Sequence, residues 1–214
     1  MPSALTASPV VRRTQAERKA TSRAALLEAA VDTLTELGSS GFTTTEVCRR
    51  AELSQGALFK HFATKADLLA ATTEHLFDEL RDQYTAAFHD PAGGPLDLAD
   101  AISLLWGAMS DPRLHAAFDL YTDARTDATL RASLQPVVEA HLDHIHRLGD
   151  DLATELGVVA DDTTRAIVEL SILSMQGLML NDMAAPDPAA RGRLDATLRQ
   201  VAPLLMNVAM GDPT

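Results

Sequence analysis

The chain has 214 residues, of which 46% are hydrophobic but only 4% aromatic, and its formal charge is −12 at pH 7. That length suits one or two domains with a core of Ala, Leu, Val and Met, which favour helices, and β-branched or aromatic runs of period two are nearly absent. The single cysteine, Cys48, excludes an intramolecular disulfide framework and fits a reducing cytosol; no basic-then-apolar leader precedes the helices, and no apolar run approaches the roughly 18–20 residues of a membrane span. The expectation is a soluble, cytoplasmic, all-α protein.

Residues 1–11 lack periodicity, and together with Arg12, Arg13, Arg18 and Lys19 they read as a disordered basic arm over 1–19. Such an arm, with Arg23 just beyond it, is either a solvated helix start or a reach towards phosphate and the minor groove. A first helix is expected from about Thr21 to Leu37, with Leu27, Ala30, Val31, Leu34 and Leu37 on one apolar face and Gly38 as its terminator. Phe42 is expected to plug a small core. Thr43 and Glu46 have the spacing of a capping box and open a second helix carrying Val47, Cys48 and Ala51 inward. Glu52-Leu53 fits a turn, and Ser54 is an N-cap for a third helix, Gln55 to His61, with Leu58 and Phe62 inward. Thr64, with Asp67, opens a fourth helix whose buried stripe runs through Leu69, Leu76, Leu80 and Tyr84 to about Phe88.

The Pro- and Gly-rich stretch 90–95 ends that helix. Further helices are expected near 97–109, 112–122, 127–156, 162–183 and 189–210, about nine in all, with Pro136 and Pro203 kinking or splitting two of them.

A short polar helix one turn after another is the shape of a helix-turn-helix, whose second helix enters the major groove; here it spans 43–62. Gln55 and Lys60 can reach base edges, and His61 either reads a base or lies on the backbone. Gly56 and Ala57 permit close approach. Ser54, Thr43, Thr44, Thr45 and Lys65 stand at helix starts, where hydroxyls, N–H groups and charge suit phosphate. The charge distribution agrees: residues 1–70 hold nine Lys/Arg against seven Asp/Glu, whereas residues 71–214 hold nine Arg against 23 Asp/Glu. Only the N-terminal end can face a polyanion.

The run Ser54-Gln55-Gly56-Ala57-Leu58-Phe59-Lys60-His61-Phe62, followed by Thr64-Lys65 and Asp67-Leu68-Leu69, resembles the signature of tetracycline-repressor (TetR) family regulators. The match covers roughly residues 20–80, and it departs from the pattern at Glu52, where the family usually has a turn Gly that takes positive φ without penalty. By that resemblance Phe59 holds an aromatic position near the DNA backbone. The resemblance also implies a head over 20–80 and, over 81–214, a helical body that binds a small molecule and dimerises through its last two long helices. The dimer seam is expected at Ile167, Leu170, Ser174, Leu178, Leu198 and Leu205. An effector cavity, for a largely apolar ligand, is expected at Leu105, Trp106, Met109, His115, Phe118, Tyr121, Met175 and Met179, residues that equally suit a packed core.

His141 and His144 share a helical face but lack a third and fourth ligand, so no metal is expected there. The carboxylates pair with no nucleophile, and neither a G-x-S-x-G turn nor a phosphate loop is present. No catalytic residue and no cofactor are therefore expected. The reading is a one-component regulator, a repressor that binds a palindromic operator as a homodimer and is released by a small molecule. The alternative is a helical ligand-binding or protein-interaction module that keeps the head without reading DNA.

Overall fold

The computed structural model describes residues 14–88, 97–155, 157 and 161–209. Nine α-helices and no strand occur among the described residues: α1 (Gln15–Gly41), α2 (Thr44–Arg50), α3 (Gln55–Leu58), α4 (Lys65–Phe88), α5 (Leu98–Met109), α6 (Pro112–Ala124), α7 (Ala128–Glu155), α8 (Asp162–Ala184) and α9 (Pro188–Ala209). None is long and apolar enough to cross a membrane.

The first helix begins at Gln15 rather than near Thr21. Thr14 and Glu17 form a reciprocal capping box: the Glu17 N–H donates to Thr14 Oγ1 at 3.2 Å, and the Thr14 N–H donates to Glu17 Oε2 at 2.7 Å. Residues 14–19 are thus a capped helix start and not part of a disordered arm, which places Arg18 and Lys19 on α1. Arg12 and Arg13 lie outside the described residues. At Gly38 the backbone turns to φ 64°, then makes one more helical turn to Gly41. Leu37 consequently leaves the apolar stripe and is exposed, while Phe42 is fully buried.

Thr43 caps α2, its Oγ1 accepting the Glu46 N–H at 3.1 Å. The return half of that capping box is not made, because the Glu46 carboxylate accepts from Arg49 and Arg50 instead. Hydrogen bonds from Arg49 and then Arg50 hold Glu46 down to about 2, and Arg50 also reaches Glu36 at 2.8 Å. The turn keeps the shape expected of a glycine: Glu52 sits at φ 54°, and the Leu53 N–H donates to the Cys48 carbonyl at 3.0 Å. Regular helix in α3 stops at Leu58, short of His61, and the chain continues as turns closed by the Phe62 N–H on the Leu58 carbonyl. Thr64 and Asp67 form the capping box of α4. Pro136 and Pro203 are carried inside α7 and α9, so neither helix splits. A Cβ on Gly149 would lie 3.2 Å from Val168 Cγ2, so its bare Cα lets α7 approach α8 closely.

The head core is not closed on itself. Leu26, Leu27, Leu34, Phe42, Val47, Leu58, Phe62 and Leu68 form one buried cluster with Ala116, Leu120 and Ala124 of α6 and Leu130 and Leu134 of α7. The buried hydroxyls of Thr33, Thr72 and Thr73 donate to carbonyls four residues back, whereas the shielded Thr35 hydroxyl on α1 has no partner. Burial raises the Cys48 thiol, as expected of an inert core cysteine. A second cluster joins α4, α6 and α8 through Leu76, Phe77, Leu80, Leu114, Phe118 and Met179. A third joins α5, α8 and α9 through Ile102, Trp106, Met175 and Leu198. The Tyr84 side chain lies outside the described residues.

His141 of α7 stacks on Phe77 with ring centroids 3.8 Å apart. Burial, with the nearby His144 and Arg81 charges, lowers it to about 4.

Two predictions follow from these local geometries. Glu52 in the left-handed region costs about 1–2 kcal/mol, partly offset in a glycine variant by about 0.5–1 kcal/mol of chain entropy. Glu52→Gly should therefore stabilise the fold by up to about 1 kcal/mol and raise Tm by roughly 2–4 °C in a melting curve. An unchanged or lower Tm would show that the turn is unstrained. His141 is depressed in the folded chain, so the folded state binds fewer protons than an unfolded one with a pKa of about 6.5. Its contribution is fully present above about pH 6.5 and is lost as pH falls towards 4, by at most about 1.4 kcal/mol per pH unit. Replacing it by Phe, which keeps the stack but cannot be protonated, should flatten the decline of Tm between pH 7 and pH 5.

Candidate nucleic-acid interface and effector cavity

The start of α2 lies against α3, and Thr64 and Lys65 open α4 in a groove shared with Asp123 and Asp127. Thr43 is committed to capping α2, Thr44 is half-buried, and Thr45 Oγ1 accepts from Gln55 Nε2 at 2.7 Å. That last bond ties the exposed end of α3 to α2 and fixes the Gln55 amide at the edge of the surface. Ser54 Oγ caps α3 by accepting the Ala57 N–H at 3.1 Å. A Cβ on Gly56 would meet only Ser54 Oγ at 3.9 Å, so the fold does not require glycine there. The missing side chain leaves room for something outside the protein. Ala57 is half-buried, Lys60 is exposed, and Phe59 is 49% exposed. A phenyl ring so placed has little of the protein to pack on.

His61 is half-buried; burial and the Lys19 and Arg23 charges lower its pKa. Those two residues belong to α1, which adds a third source of positive charge beside α3. Arg23 lies 5.6 Å from the Phe62 ring centre, and Lys65 Nζ lies 5.6 Å from that of Phe42. Arg49 and Arg50, by contrast, are neutralised by Glu46 and Glu36. Among the described residues, Lys19, Arg23, Lys60 and Lys65 form no ion pair with a carboxylate. Basic spacing in the sequence hinted at Lys19 and Arg23, but only the capped start of α1 places them next to His61.

In the body, a cavity of about 340 Å³ opens between α5, α6, α8 and α9. Trp106, Met109, His115 and Met179 line it, four of the eight residues expected there, joined by Asp182 and Arg191. The Trp106 side chain is 6% exposed and its Nε1–H has no hydrogen-bond partner. The Arg191 guanidinium sits 5.1 Å over its ring. The other expected residues are elsewhere. Phe118 packs in the core with Leu114 and Met179, its ring edge-on to Tyr121; Tyr121 lines a separate groove with Leu134 and Val138. Met175 is fully buried, and Leu105 packs behind Trp106. The inward faces of α5 and α6 divide between cavity and core. Helical spacing alone does not show which side a residue takes.

The expected seam residues also divide. Ile167 and Leu198 are buried within the chain's own fold, so they cannot face a partner. Ser174 and Leu178 are half-buried, the latter lining the cavity, and the Leu205 side chain lies outside the described residues. Leu170 is 56% exposed, and with Leu173, Leu180 and Met183 it makes an open apolar stripe on α8. Gly177 lies in the same stretch, with open space where a Cβ would be. Val201 on α9 is exposed as well.

Residues 26–72 match the family described as bacterial regulatory proteins, tetR family. An uncharacterized HTH-type transcriptional regulator of Mycobacterium tuberculosis is 33% identical over 135 residues, covering 63% of this chain and 69% of that one. The HTH-type transcriptional regulator CymR of Pseudomonas putida is 29% identical over 197 residues, covering 89% and 94%. Among solved structures, the multidrug binding protein EbrR complexed with ethidium superposes with a TM-score of 0.63 at 20% identity, over 84% of this chain and 97% of that one. A transcriptional regulator of Rhodococcus sp. Rha1 does so with a TM-score of 0.61 at 22% identity, over 88% and 94%. The helix-turn-helix geometry and these likenesses agree, and the chain belongs to the TetR family of bacterial regulatory proteins as an HTH-type, DNA-binding transcriptional regulator.

Proposed function

We propose that the protein is a repressor that binds a palindromic operator as a homodimer and leaves it when a small, largely apolar molecule enters the body. The observation that carries the DNA face is that Lys19 and Arg23 beside His61, with Lys60 and Lys65, form no ion pair with a carboxylate among the described residues, while the backbone at Gly56 is open. Gln55 and Ala57 of α3, with Lys60 in the turn that follows it, are assigned to base edges and backbone. Thr43, Thr44, Thr45, Ser54, His61 and Lys65 are assigned to phosphate, and Phe59 to packing on the backbone. The apolar stripe on α8 supports a two-fold partner: Leu170, Leu173 and Leu180 are too exposed to be explained by the chain's own packing. The effector is assigned to the Trp106 cavity, where a ligand with one acceptor would satisfy the orphaned indole N–H. The ethidium bound by EbrR, a flat aromatic cation, is a precedent for an aromatic guest in this fold.

Selection of bound fragments from the organism's own DNA, followed by gel shifts at several salt concentrations, tests the reading. Lys60→Ala should weaken operator binding and flatten the salt slope by about one unit, with Tm unchanged. Lys65→Ala should do the same, with a small loss of stability from its contact with Phe42, about 0.5–1 kcal/mol, read as a slightly lower Tm. If both variants bind as tightly as the parent at low salt, the assigned face is wrong. For assembly, Leu170→Glu adds a charge to a site already open in the single chain. It should leave Tm of the fold largely intact while converting a dimer to a monomer on light scattering and abolishing operator binding. A folded, dimeric Leu170→Glu protein would place the seam elsewhere.

A further inference from the structure

Glu28 on α1 and His75 and Glu79 on α4 each bring one ligand atom to within 4.8 Å of the others. His75 and Glu79 are one helical turn apart, so both project from the same side of α4 towards α1. His75 Nε2 lies 3.4 Å from Glu79 Oε1, yet it is shielded from solvent and has no hydrogen-bond partner. A shielded imidazole nitrogen left unsatisfied beside two carboxylates is costly unless something fills the gap. Two atoms bound to one tetrahedral ion at about 2.0–2.1 Å stand roughly 3.3 Å apart, close to the spacing seen. The other oxygen of Glu79 is already occupied, accepting from Arg113 Nη1 at 2.8 Å. Arg113 is itself held by Asp111, with Nη2 on Oδ2 at 2.6 Å, so its charge is largely compensated. That arrangement leaves Glu79 Oε1 free and fixes the carboxylate plane, as outer-shell partners of metal ligands do.

We propose that Glu28, His75 and Glu79 form a divalent transition-metal site of the zinc class, completed by water, that clamps α1 to α4. One imidazole and two carboxylates match the charge and donor preference of zinc and its neighbours in the first row, while magnesium and calcium call for more oxygens. The clamp joins the helix that carries the basic start of the head to the helix that leaves it for the body.

The test uses the full chain without an affinity tag, titrated with zinc chloride alone in a calorimeter. The expected result is one ion per chain, a rise in Tm on binding, and visible d–d absorption when cobalt replaces zinc. Glu28 is exposed, so Glu28→Gln should fold normally by circular dichroism; it should weaken zinc binding about tenfold or more, and His75→Gln should do likewise. His144→Gln, at the other shielded and unpartnered histidine, should leave the affinity unchanged. Absence of saturable binding up to about 1 mM, or a loss of less than tenfold in either Glu28→Gln or His75→Gln, overturns the proposal.

Discussion

The head and the body of this regulator share one hydrophobic core, and the remaining architecture depends on that. α1 presents Leu26, Leu27, Ala30 and Leu34 to a cluster that also contains Val47, Leu58 and Phe62 of the head and Ala116, Leu120 and Ala124 of α6. Apolar burial is worth about 25 cal/mol per Å², so a head that tilted as a rigid unit would have to open part of this cluster to water. Close-packed cores shift between discrete arrangements more readily than they deform continuously. Small displacements of α6 are therefore bound to be felt in the helix-turn-helix.

α6 is also where the cavity meets that core. His115 lines the cavity, while its neighbour Ala116 belongs to the cluster shared with the head. Under the proposed function, a guest in contact with Trp106 and His115 acts on a helix whose other side already holds α1. A guest can shift the two arrangements only by its difference in affinity for them, typically about 1–3 kcal/mol in such couplings. That amount is small beside the burial energy of the shared cluster, which fits a reorientation of the head and not its unfolding.

Much of the fold could be read from the residues themselves, since capping boxes, glycine stops and periodic apolar faces are local signals. Ser54, Thr64 and Asp67 cap where their spacing says they should. Thr14 and Glu17 carry the same signal; it was masked by the basic residues around it, which read as an unstructured arm. Glu52 shows the opposite situation, in which the turn shape overrides residue preference and a β-carbon is tolerated at φ 54°. The body was less legible because long helices buried on several sides give no single stripe. Ile167 and Leu170 are three residues apart on α8, yet one is 6% and the other 56% exposed. Which neighbour covers a residue is a tertiary fact, absent from the period of the sequence.

The expected seam and the expected cavity both draw on α8. α8 meets three different environments around its circumference: the second and third cores through Met179 and Met175, the cavity through Leu178 and Asp182, and open space through Leu170, Leu173 and Leu180. A helix of this kind must be apolar nearly all round, so its composition cannot distinguish a partner from a ligand. Met183 is at once 49% exposed and part of the cavity wall. A second chain seated on the open face of α8 would therefore lie against the rim of the cavity. Assembly and effector binding would then act on a common surface, and the dimer would be the form in which the cavity acquires its final shape.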